Sequence, residues 1–247
     1  MVSVVIVLKV TGSNKMVDLS LITWTHSSYC DVWPMYFGQL KKHFSQIKQY
    51  MFVDKDSNQI PTECIQLINN ENENYYKRFL NCIEQVEENN VLYMQEDYIL
   101  YDNVDENLLT SLTEYLNKSN YSFIRLIKSG VEGGDAISKK LNLFEIPRNC
   151  QYLFSHQATI WKKQELKKLY QFYKPRHIRD AELYGSHACV SLDMLGCYVY
   201  QNEPKRGKHH YDSNIFPYIS TAIGKGKWDM SCYKKELTKL FKDYNIT

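Results

Sequence analysis

Apolar strand-like runs and helix-period runs alternate along the first half of this chain, and this alternation restricts its fold more than any other feature. Strands are predicted over DLSLITW (18–24), over IKQYMFVDK, which closes on Asp54, and over VLYMQEDYIL (91–100). Between the last two, NENENYYKRFLNCIEQVEENN spaces its apolar residues at i, i+3, i+4 and i+7, which predicts a helix. Alternating strands and helices pack as layers, so we expect an α/β fold that is doubly wound through residue 128.

The remaining elements are predicted from local signals. Thr25, Ser27 or Ser28 is expected to cap a helix that reaches His43, with Pro34 in its first turn. Further helices are expected near 105–117, within WKKQELKKLYQFY, within AELYGSHACVSLDML and within CYKKELTKLFKDY, and further strands in MVSVVIVLKV, YSFIRLI and GCYVYQNEP.

Composition limits the class of protein. The 247 residues contain no Pro/Gly/Ser-rich linker, which favours one domain over residues 1–247. A net charge of +2 gives no global field for nucleic acid, so no nucleic-acid partner is expected. Seven cysteines without a CxxC pair argue against a disulfide framework or a zinc site and favour a reducing cytoplasm. The apolar run at the amino terminus is too short for a signal peptide or a membrane span.

The acidic pair inside VLYMQEDYIL is the strongest chemical signal. Glu96 and Asp97 interrupt an apolar run, and an unpaired buried carboxylate costs several kcal/mol or takes up a proton. Carboxylates at a strand end suit Mg²⁺ or Mn²⁺, which also binds phosphate oxygens. The alternative is that both carboxylates cap a turn or pair with lysine. Ligands of open α/β sheets collect beyond the carboxyl ends of the strands, where Thr25, Asp54 and residues 95–97 would meet.

The order of these features resembles the A-type fold of glycosyltransferases that use sugar nucleotides, and the segment AELYGS with PYISTAIGKGKWD resembles small bacterial and viral transferase-like proteins. In that superfamily an Asp-any-Asp motif holds the cation that bridges the donor diphosphate. Here Asp97 matches the second Asp and Gln95 stands at the first. The resemblance implies a nucleotide-sugar-binding half over about 1–104 and an acceptor-binding, catalytic half over about 105–247.

Transfer with inversion needs a carboxylate that removes the proton of the acceptor hydroxyl. Asp180 and Glu182 are the candidates, because the resemblance places an acidic residue near the start of a helix after the acceptor-facing segment. Gly185 and Ser186 would offer close backbone approach and N–H donors at that helix start. The alternative is that both carboxylates merely favour the helix dipole.

The resemblance implies further donor contacts. Thr25, His26 and Asp54 match the places where the family holds base and ribose, and Glu96 lies beside the diphosphate. Lys225 and Lys227, around a glycine, form a cationic loop that would contact the diphosphate, although a solvated basic turn is the ordinary alternative. His209 is a candidate late metal ligand. A surface or satisfied histidine is the commoner case.

The segment FSHQATIWKKQEL resembles the acceptor-side segment that precedes the catalytic carboxylate in these enzymes, which implies that His156 and Gln157 face the site. The alternative is a buried His156 that is satisfied within the core.

These features together predict a cytoplasmic glycosyltransferase with a divalent cation, a nucleoside-diphosphate sugar as donor, and a glycan or another hydroxyl-bearing acceptor, lipid-linked or protein. The basic C-terminal helix is a candidate for peripheral membrane contact, with docking on the core as the ordinary alternative. The rival function is a non-catalytic carbohydrate- or protein-binding module on the same fold, which Gln95 makes plausible. The sequence leaves the sugar, the acceptor and the oligomeric state open.

Overall fold

The computed structural model describes residues 18–207, 210–224 and 226–246, so the strand predicted in MVSVVIVLKV lies outside the described residues. Its helices are α1 Trp33–His43, α2 Tyr75–Ile83, α3 Glu106–Lys118, α4 Lys163–Tyr173, α5 Ile178–Ser191 and α6 Lys234–Tyr244. Its strands are β1 Leu19–Trp24, β2 Lys48–Val53, β3 Cys64–Ile68, β4 Asn90–Gln95, β5 Ile99–Leu100, β6 Phe123–Arg125, β7 Ala136–Ser138, β8 Leu143–Glu145, β9 Thr159–Lys162, β10 Gly196–Val199, β11 Lys205–Arg206, β12 His210–Tyr211, β13 Tyr218–Ile219, β14 Ile223–Gly224 and β15 Lys227–Trp228.

One nine-stranded sheet, in the order β3-β2-β1-β4-β9-β6-β10-β8-β7, organises the molecule. The first four strands of this order are parallel to one another, and β9 lies antiparallel between β4 and β6. The predicted α/β fold, with a parallel first half, is confirmed by this parallel-rich sheet. The division into a donor half and an acceptor half stays a prediction.

Helices cover both faces of the sheet. On one face α1 and α3 insert Trp33, Tyr36 and Leu112, together with other apolar side chains, into a buried cluster with β1 and β2 residues. On the other face α2, α4 and α5 form a second cluster around Phe79 and Leu166. Each of these five helices buries its apolar side chains against one face of the sheet, so the sheet lies between two hydrophobic cores.

The segment VLYMQEDYIL is not one strand. β4 ends at Gln95, a turn closed by the Tyr98 N–H and the Gln95 carbonyl (3.1 Å) follows, and β5 leaves the main sheet to pair antiparallel with β13. Glu96 and Asp97 lie in that turn. Because a polar turn replaces two strand residues, the acidic pair marks the point where the chain leaves the sheet.

The first helix begins later than the sequence predicts. α1 starts at Trp33 without a side-chain cap, with Pro34 in its first turn as expected. His26, rather than a serine or threonine, caps a single 3₁₀ turn over Ser27–Tyr29. The Thr25 hydroxyl instead accepts a hydrogen bond from the indole N–H of Trp33 (3.1 Å), which fixes the end of β1 against α1.

The structure changes the role expected of Gly185 and Ser186. Gly185 and Ser186 lie in the middle of α5, not at its start, and a Cβ on Gly185 would lie 2.5 Å from the Phe154 ring. The Ser186 hydroxyl donates to the Gln151 carbonyl and accepts from the Phe154 N–H. This pair therefore docks α5 onto residues 151–154 and is not an anion site.

The C-terminal helix α6 uses its apolar face inside the protein. Leu237 and Leu240 are buried against Val32, Met35 and Ile99. Among the described residues, no helix combines the length and the apolarity that crossing a bilayer requires. A peripheral membrane contact of α6 would therefore have to use its lysine-bearing side, and it stays a prediction.

Candidate functional site

Two adjacent cavities open beyond the carboxyl ends of β1 and β4. The first, of about 240 Å³, is lined by Trp24, Thr25, His26, Tyr29, Gln95, Glu96, Asp97, Ile178, Ile223 and Gly226. The second, of about 250 Å³, is lined by Gln95, Asp97, Tyr98, His156, Gln157, Ile178, Arg179, Glu182, Thr221 and Ile223. Asp97 and Gln95 belong to both walls. This location is where an open α/β sheet binds its ligands.

Asp97 is held by the segment that follows β13. The Ile223 N–H donates to its Oδ2 (3.4 Å), and the Ala222 N–H donates to its backbone carbonyl (3.3 Å). The other carboxylate oxygen, Oδ1, is buried and has no hydrogen-bond partner among the described residues. Such an oxygen carries a full desolvation cost unless a proton or a cation meets it.

The environment disfavours negative charge on both members of the acidic pair. Burial, reinforced by the charge of Asp97, raises the pKa of Glu96 to about 8 despite a hydrogen bond from Thr25. Burial raises the pKa of Asp97 to about 7, against the backbone N–H groups that stabilise its ionised form. In the part of the chain that the structure describes, no basic side chain pairs with either carboxylate. A site with this imbalance attracts a cation.

A second polar cluster lies at the ends of β1 and β2. Ser27 donates to Asp54 twice, through its N–H to Oδ1 (2.6 Å) and through its hydroxyl to Oδ2 (2.7 Å). The His26 Nε2 lies 2.9 Å from Glu71 and 3.8 Å from Asp54. Burial opposes ionisation of Asp54, but the two bonds from Ser27 and the nearby His26 outweigh it and hold the pKa of this carboxyl below its usual value.

The ligand atoms of His26, Asp54 and Glu71 lie within 4.8 Å of one another, a spacing that suits a metal ion. The existing hydrogen bonds oppose that use. The His26 Nδ1 accepts from the Ser28 N–H (3.0 Å), so the proton of the neutral ring sits on Nε2 and points at Glu71. With both Asp54 oxygens also engaged, this cluster is satisfied by protein groups.

The two candidate bases lie on the first turns of α5 in different surroundings. Asp180 is tied to Arg176 (2.7 Å between Oδ2 and Nε) and accepts from the Arg176 backbone. The Arg176 guanidinium holds the pKa of this carboxyl below its usual value. Glu182 is exposed and lines the second cavity, which Asp180 does not. Of the two, only Glu182 faces a cavity in the part of the chain that the structure describes.

The remaining predicted donor contacts divide among three places. Thr25, His26 and Glu96 line the first cavity, whereas Asp54 lies behind Ser27. Lys227 is exposed on the β14–β15 hairpin, whose turn residue Gly226 reaches the first cavity. Lys225 and His209 lie outside the described residues.

Several lining residues were predicted only weakly or not at all. His156 and Gln157 line the second cavity just before β9, and Arg179 lies at the start of α5. The signal for the first two was weak, because a histidine in FSHQATIW is more often a satisfied core residue. Thr221 and Ile223 reach the cavity because β13, which directly precedes them, pairs with β5. No local sequence pattern predicts that pairing.

Solved structures of other proteins are similar to this chain, at low sequence identity. No protein-family model matches the sequence, and no curated protein sequence matches it. The bifunctional IspDF from Campylobacter jejuni is similar at 14% identity and a TM-score of 0.46, over 81% of this chain and 52% of that chain. S. aureus TarS 1-349 is similar at 11% identity and a TM-score of 0.47, over 91% of this chain and 63% of that chain. The chain thus spans about half to two thirds of these structures, which assign it no activity.

Proposed function

We propose that this protein is a glycosyltransferase that moves a sugar from a nucleoside-diphosphate donor to a hydroxyl acceptor, with inversion at the anomeric carbon. The donor would occupy the first cavity and the acceptor the second. One observation carries the proposal: a buried carboxylate, Asp97, without a basic partner among the described residues, lies in the wall shared by the two cavities. A group transfer needs two such sites side by side.

The residues fit a divalent cation. Asp97 Oδ1 is buried and unpartnered, and Glu96 adds a second carboxylate to the first cavity. Oxygen ligands of this kind suit Mg²⁺ or Mn²⁺, which would supply positive charge against the departing diphosphate. The exposed Lys227, on the hairpin whose Gly226 lines this cavity, would add positive charge near the diphosphate.

The chain's own residues account for the acceptor side. Glu182 accepts the proton of the acceptor hydroxyl while that oxygen bonds to the anomeric carbon and the bond from this carbon to the diphosphate oxygen breaks. The Glu182 carboxylate lines the cavity and has no partner in the described ranges, so it is available to the hydroxyl. Asp180 is already paired with Arg176 and would position the first turn of α5.

A thermal-shift panel tests the donor site. UDP, GDP, dTDP and CMP are each added with and without Mn²⁺, and one nucleotide at about 100 times its dissociation constant stabilises the protein by roughly 2.7 kcal/mol. We expect a shift that requires Mn²⁺ and disappears in Asp97→Asn. The exposed Asp135→Asn serves as the matched control. Absence of any shift in the folded protein would reject the donor site and favour a non-catalytic carbohydrate-binding module.

A second experiment tests the base. Glu182→Gln should keep the Mn²⁺-dependent nucleotide shift and lose sugar transfer, measured as release of the nucleoside diphosphate in the presence of acceptor. The exposed Glu63→Gln is the control. Normal transfer by Glu182→Gln would move the role of base to Asp180 or to another group.

A further inference from the structure

The second cavity contains a buried histidine whose two ring nitrogens differ in their surroundings. His156 is 3% exposed and forms part of the cavity wall beside Glu182. Its Nε2 lies 3.1 Å from the carbonyl oxygen of Ile178, at the start of α5. Its Nδ1 is buried and has no hydrogen-bond partner among the described residues.

The Ile178 contact sets the tautomer. A carbonyl oxygen accepts and never donates, so the proton of the neutral ring is on Nε2 and Nδ1 carries a lone pair. Burial lowers the pKa of His156, although the charge of Glu182 acts in the opposite direction. The ring therefore presents a hydrogen-bond acceptor that lacks a donor.

The neighbouring polar groups do not supply that donor. The Gln157 amide is already oriented, because its Oε1 accepts from the Tyr218 hydroxyl (2.8 Å) and its Nε2 donates to the Ser220 carbonyl (3.2 Å). The rings of Tyr93 and Phe154 meet His156 edge-on. A buried acceptor left unmatched in this way is destabilising, and a donor from a ligand would remove that cost.

From this geometry we infer that the acceptor substrate is a polyol, with one hydroxyl at Glu182 and a second hydroxyl that donates to Nδ1 of His156. The inference rests on the proposed function, because it assigns the second cavity to the acceptor. A compound with a single hydroxyl would satisfy Glu182 and leave Nδ1 unmatched. His156 then selects among acceptors, whereas Glu182 acts on the reacting oxygen.

The ring nitrogens can be observed directly by NMR on protein with isotope-labelled histidine. The probes are glycerol, glucose, galactose and mannose, with 1-propanol as a control that has the carbon chain of glycerol and one hydroxyl. We expect the free protein to show the Nε2–H tautomer, and at least one polyol, but not 1-propanol, to shift the Nδ1 resonance. The inference is overturned by the opposite tautomer, by no shift with any polyol, or by an equal shift with 1-propanol.

A pair of variants separates recognition from support of the fold. In His156→Gln the side-chain amide can donate to the Ile178 carbonyl but presents no acceptor at the Nδ1 position, whereas in His156→Asn an amide oxygen takes the place of Nδ1 and the Ile178 bond is lost. We expect His156→Gln to raise the dissociation constant of the active polyol roughly two- to tenfold. Binding is measured by NMR titration, through the shift of the Gln157 backbone amide resonance. His156→Asn should bind more tightly than His156→Gln, while being less stable.

A purely structural role predicts the reverse order, with His156→Gln close to the wild type. If His156→Asn does not fold, the comparison of His156→Gln with the wild type still decides. The exposed His187→Gln, on α5 and outside the walls of both cavities, should match the wild type. Nucleotide binding is measured separately. Loss of the Mn²⁺-dependent nucleotide shift with an intact polyol response would reject the donor site alone, and the opposite pattern would reject the role of His156 alone.

Discussion

The turn after β4 and the turn after β2 each carry acidic groups, yet they differ in how those groups are satisfied. At the end of β2, Asp54 receives two hydrogen bonds from Ser27 and lies beside His26, and its pKa is lowered. At the end of β4, Glu96 and Asp97 are buried, Asp97 keeps an unpartnered oxygen, and both pKa values are raised. The first cluster is complete with protein groups, while the second lacks positive charge.

Carboxylates at strand ends are therefore not equivalent, even on one sheet edge. A metal-like spacing of ligand atoms at His26, Asp54 and Glu71 reflects a closed hydrogen-bond network. The site at Glu96 and Asp97 has fewer suitable groups but leaves a lone pair unused. We therefore expect a cation where carboxylate charge is unmet, rather than where the most potential ligands lie close together.

Manganese binding should show the largest contrast. Asp97→Asn removes the carboxylate with the free oxygen, so we expect Mn²⁺ affinity measured by titration calorimetry to fall by roughly 100-fold or more, since buried, preorganised charge contributes several kcal/mol. Asp54→Asn is the isosteric control and should change Mn²⁺ affinity little. If Asp54→Asn abolished Mn²⁺ binding and Asp97→Asn did not, the cation site would lie at Asp54 and not at Asp97.

The pH dependence of stability should differ in sign between the clusters. The native state keeps protons on Glu96 and Asp97 that the unfolded chain releases near pH 4, so this pair loses stability as pH rises from about 4 through 8, by roughly 1.4 kcal/mol per pKa unit. Asp54, whose pKa is lowered, contributes stability that is lost only as pH falls below its usual value of 3.8.

Urea unfolding of the wild type and of the double variant Glu96→Gln, Asp97→Asn between pH 5 and pH 8.5 measures this difference. The double variant should show a flatter profile and a higher relative stability at pH 8.5. Saturating Mn²⁺ should reduce the loss of wild-type stability at high pH and leave the double variant unchanged. A profile of equal slope in both proteins would contradict the raised pKa values.

Removal of one bond to Asp54 should have a moderate effect. Ser27→Ala deletes the hydroxyl that donates to Oδ2 and keeps the backbone N–H contact, so the free energy of unfolding should fall by about 1 kcal/mol. Ser45→Ala, at an exposed position, is the control for hydroxyl loss. Chemical denaturation measures both, and an unchanged Ser27→Ala would mean that water replaces the hydroxyl at no cost.

The smallest effect is expected at the exposed end of the same cluster. Glu71 is 55% exposed where it meets His26, so Glu71→Gln should change stability by less than about 1 kcal/mol. The change should shrink further in high salt, because surface charges are screened. A larger loss that persists in salt would show that Glu71 matters to the fold of this turn.

Much of the fold was predictable because the pattern of each element is local. The apolar residues of β1, β2, α2 and α3 carry their periodicity in the sequence, and Asp105 caps α3 where the polar residues precede the helix. The break between β4 and β5 was not, because Tyr98 and Ile99 continue the apolar run and their partner strand lies far along the chain. The edge strand β3 also escaped prediction, since Ile65 and Ile68 are partly exposed and give a weak pattern.

Part of the candidate site can be recognised in the sequence for the same reason. Glu96 and Asp97 can be recognised from the sequence alone because they interrupt an apolar run. Glu182 can be recognised because it lies near the start of a predicted helix. Local sequence cannot separate Glu182 from Asp180, because the difference is that Asp180 pairs with Arg176 in space. It also cannot rank His156, whose role depends on which ring nitrogen meets the Ile178 carbonyl.

The pairing of β5 with β13 also has a consequence for biosynthesis. A nascent chain that has been synthesised through β10 contains all nine strands of the central sheet, but β13, the partner of β5, has not yet been made. The N–H groups of Ala222 and Ile223, which bond Asp97, are made later still. During synthesis the central sheet therefore precedes the pocket, and the shared wall of the two cavities is completed only after all nine strands of that sheet have been made.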